Sequence, residues 1–174
     1  SADLTRLLFS SYHGMTADEV CVSVTSASGS VVVVGSSRNF SFPVVGGQNR
    51  GAGGAADMGV ARFTTQPWGL ARSFNLGGPG NDQVNGVLAL ADGTIAFFAQ
   101  STSGFPLPTV GHATTKPTAS TIDALVFRMD AQLDTILSAT WVGGPGVDGF
   151  WSGAQQKDGT VIAAGSTTSD TLDV

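Results

Sequence analysis

The chain contains the stretch Leu76-Gly77-Gly78-Pro79-Gly80-Asn81-Asp82, and a close copy of it, Val142-Gly143-Gly144-Pro145-Gly146-Val147-Asp148, follows later. The offset from Leu76 to Val142 is the repeat period of the chain. A degenerate copy, Tyr12 to Asp18, lies nearly one period before the first and has His13 and Met15 where glycine is expected. Repetition at one fixed period indicates an architecture built from repeated supersecondary units.

Two further landmarks repeat in the same phase. Short apolar runs follow glycine turns at Gly29, Gly93 and Gly159, and the three runs are Val31 to Gly35, Ile95 to Ala99 and Val161 to Gly165. The segment Asp57 to Phe63 matches Asp123 to Met129, again separated by one repeat period. Agreement of three separate landmarks indicates a true repeat.

The middle copy has the pattern of four short strands. Val84 to Leu90 and Thr94 to Ala99 flank Asp92-Gly93, a strong signal for a two-residue hairpin turn. Ile122 to Met129 and Thr135 to Val142 flank a short polar turn. Helical periodicity is nearly absent, because Gly or Pro interrupts every candidate segment. We therefore predict an all-β fold, a β-propeller of four-stranded blades of ~65 residues each.

The phase of the repeat also predicts how the chain divides. Residues 1–174 are expected to be part of one propeller, with 4–12 as the last strand of a preceding blade. Complete blades are predicted over 18–76 and 82–142, and a partial blade over 148–174. That is about two and a half blades, whereas propellers close with about four to eight. Either the segment belongs to a larger polypeptide, which we favour, or several chains complete one ring.

Composition and charge exclude several classes of protein. The chain has 24 glycines in 174 residues, about twice the usual share of roughly 7%, and its 41% hydrophobic content argues against disorder. A net charge of −5 with only eight Lys and Arg argues against nucleic-acid binding. No apolar run approaches the roughly 20 residues that span a bilayer. The single cysteine, Cys21, is interpreted as a buried strand residue, with an intermolecular disulfide as the alternative.

Five aspartates occupy two recurring positions of the unit, after the glycine turn and at the start of the third strand: Asp18, Asp82, Asp148, Asp57 and Asp123. One interpretation is that equivalent carboxylates converge on a cation. We favour the other, in which each carboxylate accepts backbone N–H groups and holds a turn between blades, because a catalytic group normally occurs once. Together with Gly77, Gly78, Gly143 and Gly144 they are predicted to be structural, repeat-defining residues.

No catalytic, cofactor or metal site is predicted. A calcium loop of the Asp-x-Asp-x-Asp-Gly type is absent, and His13 and His112 are too far apart in the sequence to suggest a zinc site. A Gly-x-Ser-x-Gly elbow is also absent, so a propeller-scaffold hydrolase is the least favoured function.

Aromatic residues are the remaining candidates for ligand or interface contacts. Trp68, Trp151 and Phe150 are predicted to be available for this, whereas Trp141 is predicted to lie in the core. Aromatic faces are common at protein hot spots. If these rings are exposed, a glycan-binding, lectin-like function is the alternative to a structural one.

The motifs resemble the SBBP-type β-propeller repeat of secreted and cell-surface proteins, mostly bacterial. The matching elements are Leu76 to Asp82, Asp92-Gly93, Val31 to Gly35, the pairs Phe42-Pro43 and Phe105-Pro106, and Asp123 to Arg128. Arg62 and Arg128 replace a usual lysine. The resemblance implies a secreted or cell-surface propeller module that acts as a structural or adhesive scaffold, without enzymatic activity. Its expected partners are other proteins or further copies of itself, with glycans as the alternative.

Overall fold

The computed structural model describes residues 5, 7, 9–14, 18–38, 43–47, 49–50, 53–104, 116 and 121–173. These residues form ten strands and no helix, as the all-β prediction requires. The strands are β1 (Glu19–Ala27), β2 (Ser30–Ser37), β3 (Asp57–Thr65), β4 (Trp68–Leu76), β5 (Asp82–Ala89), β6 (Ile95–Ser101), β7 (Asp123–Met129), β8 (Ile136–Val142), β9 (Asp148–Gln155) and β10 (Val161–Thr167).

The strands form three antiparallel units in chain order. Sheet 1 has the order β1-β2-β3-β4, sheet 2 the order β5-β6-β7-β8, and β9 with β10 forms a separate hairpin. The first turn of each unit contains Gly29, Gly93 or Gly159, all with positive φ between 69° and 91°. A side chain is disfavoured in that conformation, which explains why glycine recurs there.

The first strand of each unit carries a β-bulge at the same place. Pairing between β1 and β2 skips Val22, pairing between β5 and β6 skips Asn85, and pairing between β9 and β10 skips Trp151. A bulge of this kind inserts one residue without a partner and re-aims its side chain. The β-bulge is therefore part of the repeat, although the hydrophobic pattern of the sequence does not indicate it.

The three units are stacked face to face, with sheet 2 in the middle. The larger core lies between the sheets and includes Val34, Met58 and Phe74 of sheet 1 with Phe97 and Trp141 of sheet 2. Trp141 is 1% exposed, which confirms its predicted core position. Burial of such large side chains is the main stabilising contribution to the fold.

The opposite face of sheet 2 packs on the hairpin. Leu90, Ala96 and Phe98 form a smaller cluster there, with Phe150 and Ala163 of the hairpin packed against it. A Cβ at Gly153 would lie 2.1 Å from the Phe98 ring, so the strand backbone approaches the aromatic ring directly. Sheet 2 is thus buried on both faces, whereas the hairpin and the β1 side of sheet 1 each have an open face in the described part of the chain.

The strand predicted over residues 4–12 is not found in the described part of that segment. Thr5, Leu7 and residues 9–12 lie outside all strands, and Leu7 and Tyr12 are exposed. Phe9 instead stacks on Trp68, with 4.8 Å between ring centroids and an interplanar angle of 4°. Phe9 thus contacts the β3–β4 turn region through its ring, and it is not part of a β-ladder.

Cys21 also departs from expectation, because it is exposed rather than buried. It lies on β1, whose outward face has no sheet against it in the described residues. Several residues singled out in the sequence, namely Met15, Phe42, Phe105, Pro106 and His112, lie outside the described residues.

Candidate functional site

Two junctions join the stacked units, and the recurring aspartates lie in them. Junction 1 is the turn 77–81 between sheets 1 and 2, and junction 2 is the turn 143–147 between sheet 2 and the hairpin. Asp82 Oδ2 accepts a hydrogen bond from Gly78 N at 2.7 Å, and Asp148 Oδ2 accepts one from Gly144 N at 2.9 Å. Each carboxylate therefore fastens the turn that precedes its own strand.

A polar tripeptide at the end of the second strand completes each junction. In junction 1 it is Ser101-Thr102-Ser103, and in junction 2 it is Thr167-Thr168-Ser169, one repeat period later. Thr102 Oγ1 accepts from Asn81 N at 2.7 Å, and Thr168 Oγ1 accepts from Val147 N at the same distance. The sequence reasoning missed these residues, although their spacing by one repeat period would have revealed them.

The hydroxyl groups of the tripeptides also hold the aspartates. Ser101 Oγ donates to Asp82 Oδ1, while Thr167 Oγ1 donates to Asp148 Oδ1 and Ser169 Oγ donates to Asp148 Oδ2 at 2.8 Å. Burial disfavours the charged form of Asp148 less than its hydrogen bonds together favour that form. The pKa of Asp148 therefore lies below its ordinary value. Burial raises the pKa of Asp82 in spite of its own hydrogen bonds.

The first glycine of each turn is required by close packing. A Cβ at Gly77 would lie 2.2 Å from Asp57 Oδ1 and 2.7 Å from Asp82 Oδ2, and a Cβ at Gly143 would lie 2.2 Å from Asp123 Oδ1. The aspartate of the third strand thus points at the turn that follows the same sheet. Both recurring aspartate positions of the repeat meet at each junction.

Asp123 of junction 2 is paired with a lysine. Lys116 Nζ lies 2.5 Å from Asp123 Oδ2 and also donates to Thr121 O at 2.7 Å. The two side chains are 7% and 0% exposed, so this is a buried ion pair. Breaking such a pair from one side is costly, because an uncompensated charge is left behind.

Asp57 of junction 1 has a different environment. Its Oδ1 accepts from Gly53 N at 3.3 Å, while Oδ2 is buried and has no hydrogen-bond partner among the described residues. Burial raises the pKa of Asp57 to about 6; the Gly53 N–H opposes this and the Asp82 carboxylate adds to it. The residue is 1% exposed, so water does not reach the carboxylate freely.

Asp18, the remaining member of the predicted set, is exposed. It lines a groove of about 830 Å³ together with polar residues of both sheets, among them Glu19, Arg38, Asn81, Gln83 and Asn85. The structure therefore does not give Asp18 the buried position that Asp82 and Asp148 have. The degenerate sequence before it lacks the Gly-Gly-Pro-Gly turn that those two residues fasten.

The predicted aromatic residues are not brought together. Trp68 is 41% exposed, and one face of its ring is covered by Phe9. Trp151 is 52% exposed on the bulge of β9, and its Nε1 donates to Ser166 Oγ at 3.0 Å. Phe150 is half-buried against the smaller core. Trp68 lies in sheet 1, and the other two lie on the hairpin.

Side chains also link the first strands of successive units directly. Ser23 Oγ accepts from Val87 N at 3.3 Å and Thr25 Oγ1 accepts from Ala89 N at 3.0 Å, joining β1 to β5. The next pair of first strands, β5 and β9, is linked in a similar way. Asn85 Nδ2 donates to Phe150 O at 2.9 Å.

Within the described ranges, no group of three or more His, Cys, Asp or Glu side chains is placed to hold a metal ion. Nor does that part of the chain contain a helix long and apolar enough to cross a membrane. Comparison with protein-family models and with curated protein sequences finds no match to this chain. The resemblance to the SBBP-type repeat therefore stays a prediction that rests on the sequence motifs.

Proposed function

We propose that this chain forms consecutive blades of a β-propeller that serves as a structural or adhesive scaffold outside the cell or on its surface. The proposal rests on one observation. The same packing arrangement, here called the step between units, occurs twice along the chain. Sheet 1 packs on sheet 2 as sheet 2 packs on the hairpin, through linked first strands and a glycine turn held by an aspartate.

Each element of this step fits a radial arrangement. Propeller blades are four-stranded antiparallel sheets that lie around a central channel. Side-by-side contact of β1 with β5 and of β5 with β9 fits their assignment as the innermost strands. Because the larger core lies between sheets, a single blade would leave its apolar faces in water.

The open faces at the two ends of the stack support the proposed partners. Val24 is exposed on β1, and Trp151 and Ile162 are exposed on the hairpin. Apolar surface of this extent favours contact with another protein surface. We infer that further blades, from the same polypeptide or from other copies, cover these faces. The proposal assigns no catalytic activity and no cofactor to the chain.

The experiment is sedimentation velocity of the 174-residue chain over a range of concentrations. We expect concentration-dependent self-association, reduced by Val24→Glu on the open face of β1. Gln132→Glu, in the exposed turn after β7, is the matched control, because it adds the same charge away from both open faces. A monodisperse 17.6 kDa monomer at all concentrations would contradict the proposal.

Glycan binding is supported by one specific observation, the state of the Trp151 ring. The ring is more than half exposed, and its indole N–H is already held by Ser166, so its orientation is fixed before any ligand binds. A fixed, exposed aromatic face suits stacking on a sugar ring. Quenching of tryptophan fluorescence by an oligosaccharide, lost in Trp151→Ala and kept in Trp68→Ala, would favour this function. Absence of quenching across a glycan panel would remove it.

A further inference from the structure

The carboxylate of Asp57 is the least satisfied buried polar group of junction 1. Within the part of the chain that the structure describes, its Oδ2 atom is buried without a hydrogen-bond partner, and the residue is 1% exposed. Buried polar atoms in folded proteins are nearly always bonded, and an exception requires a physical explanation such as a bound ion. The exception here is an acidic oxygen, for which a cation is the natural partner.

The carboxylate of Asp82 lies beside that of Asp57. The position that a Cβ would occupy at Gly77 lies 2.2 Å from Asp57 Oδ1 and 2.7 Å from Asp82 Oδ2. Asp82 is fully buried, and Gly78 N and Ser101 Oγ are its hydrogen-bond donors. Two like charges therefore lie side by side in a region that excludes solvent, which is unfavourable unless positive charge is supplied.

The equivalent junction supplies that charge from the chain itself. In junction 2, Lys116 Nζ lies 2.5 Å from Asp123, the counterpart of Asp57. The residue one repeat period before Lys116 is Arg50, which has the right charge for the same role. Its guanidinium is directed elsewhere, to the carbonyl oxygen of Asp134 and over the Phe74 ring, 5.3 Å from the centroid.

We propose that junction 1 binds a hard divalent cation, Ca²⁺, between the carboxylates of Asp57 and Asp82. Ca²⁺ is coordinated by oxygen atoms in a flexible geometry and accepts main-chain carbonyls and water beside carboxylates. The bound ion takes the place that the Lys116 ammonium has in junction 2.

The number of carboxylates sets the expected affinity. Two carboxylates correspond to the weak sites of extracellular modules, with Kd of about 10⁻⁴–10⁻³ M. The proposal does not depend on the number of blades or on whether the ring closes, because every ligand lies within one chain. It predicts one ion per chain, since Lys116 already occupies the second junction.

The test is calcium binding by the 174-residue chain after treatment with a chelator. Isothermal titration with CaCl₂ at pH 7.5 is expected to give one site per chain. CaCl₂ at about ten times Kd is expected to raise Tm by about 3–6 °C relative to KCl of equal ionic strength. No heat and no Tm shift for the folded wild-type chain would overturn the proposal and leave a proton shared by the two carboxylates as the remaining explanation.

Two isosteric variants locate the site. Asp57→Asn is expected to abolish both the heat and the Tm shift, whereas Asp123→Asn is expected to keep both. Calcium binding that persists in folded Asp57→Asn, with the near-UV circular dichroism of the wild type, would place the ion elsewhere and overturn the proposal. The wild-type measurement remains decisive if either variant fails to fold.

Discussion

Junction 1 and junction 2 have the same turn and the same pair of recurring aspartates, yet they differ in how the third-strand carboxylate is compensated. In junction 2 a buried ammonium contacts Asp123, whereas in junction 1 the buried Asp57 has a single long hydrogen bond to the residues that the structure describes. The difference shows that the repeat specifies backbone and turn geometry closely, while electrostatic compensation is left to the long loop that precedes each third strand.

The largest effect is expected from removing the ammonium of junction 2. Lys116→Met should lower the free energy of unfolding by about 3–5 kcal/mol, because a buried carboxylate is left without its counter-charge. Urea denaturation measures this. In an Asp123→Asn background the same substitution should cost much less, and an equal cost in both backgrounds would mean that the lysine acts through packing alone.

The next largest loss of stability is expected from substituting the first glycine of either turn. Gly143→Ala should destabilise by about 2–3 kcal/mol, because the new methyl group meets Cβ, Cγ and Oδ1 of an anchored Asp123. Gly77→Ala should cost less, since its closest contact is the Asp57 carboxylate, which is held by a single long hydrogen bond among the described residues and can shift. Thermal unfolding of the pair checks the order, and a reversed order would show that Asp57 is the more rigid of the two.

A smaller effect, of opposite sign, is expected at Asp57. With chelator present, Asp57→Asn should be more stable than the wild type by about 2 kcal/mol at pH 7, because it mimics the protonated acid. The folded-state pKa is raised from 3.8 to about 6, so the folded state binds the proton more tightly than the unfolded chain. The wild type therefore loses stability relative to the variant as pH rises from about 4 to 6. A difference that does not change with pH would contradict this.

The smallest loss of stability is expected from substituting the last serine of each tripeptide. Ser169 Oγ contacts both Asp148 and Gly146 N, whereas Ser103 Oγ accepts from Gly80 N at 3.0 Å. Ser169→Ala should therefore cost about 1–2 kcal/mol and Ser103→Ala about 0.5–1 kcal/mol. Equal values by chemical denaturation would mean that the bond to Asp148 contributes little.

The strands of the middle unit could be predicted from the sequence because their signals are local. The Asp92-Gly93 turn and the phase of the repeat predicted strands at 84–90 and 94–99, and the structure has β5 and β6 at 82–89 and 95–101. The placement of Asp82 and Asp148 against the glycine turns was also predictable, because each partner lies one short turn away in the chain.

The partners of Asp57 and Asp123 could not be predicted in this way. Whether Lys116 or Arg50 reaches its aspartate depends on the path of a long loop that has no periodic pattern. Phe9 was assigned to a strand from the phase of the repeat, whereas the structure places it outside all strands, with its ring on Trp68. Tertiary contacts of this kind override local preference, and neither spacing nor composition reports them.

The bulge in the first strand of each unit has a consequence for variation along the repeat. Val22, Asn85 and Trp151 occupy one structural position, although one is aliphatic, one is an amide and one is a large indole. A residue without a cross-strand partner is released from the pairing rules that constrain its neighbours. The bulge is thus a position where the residue type can vary, and substitutions there can alter the chemistry beside the first strand of a unit without disturbing the β-ladder.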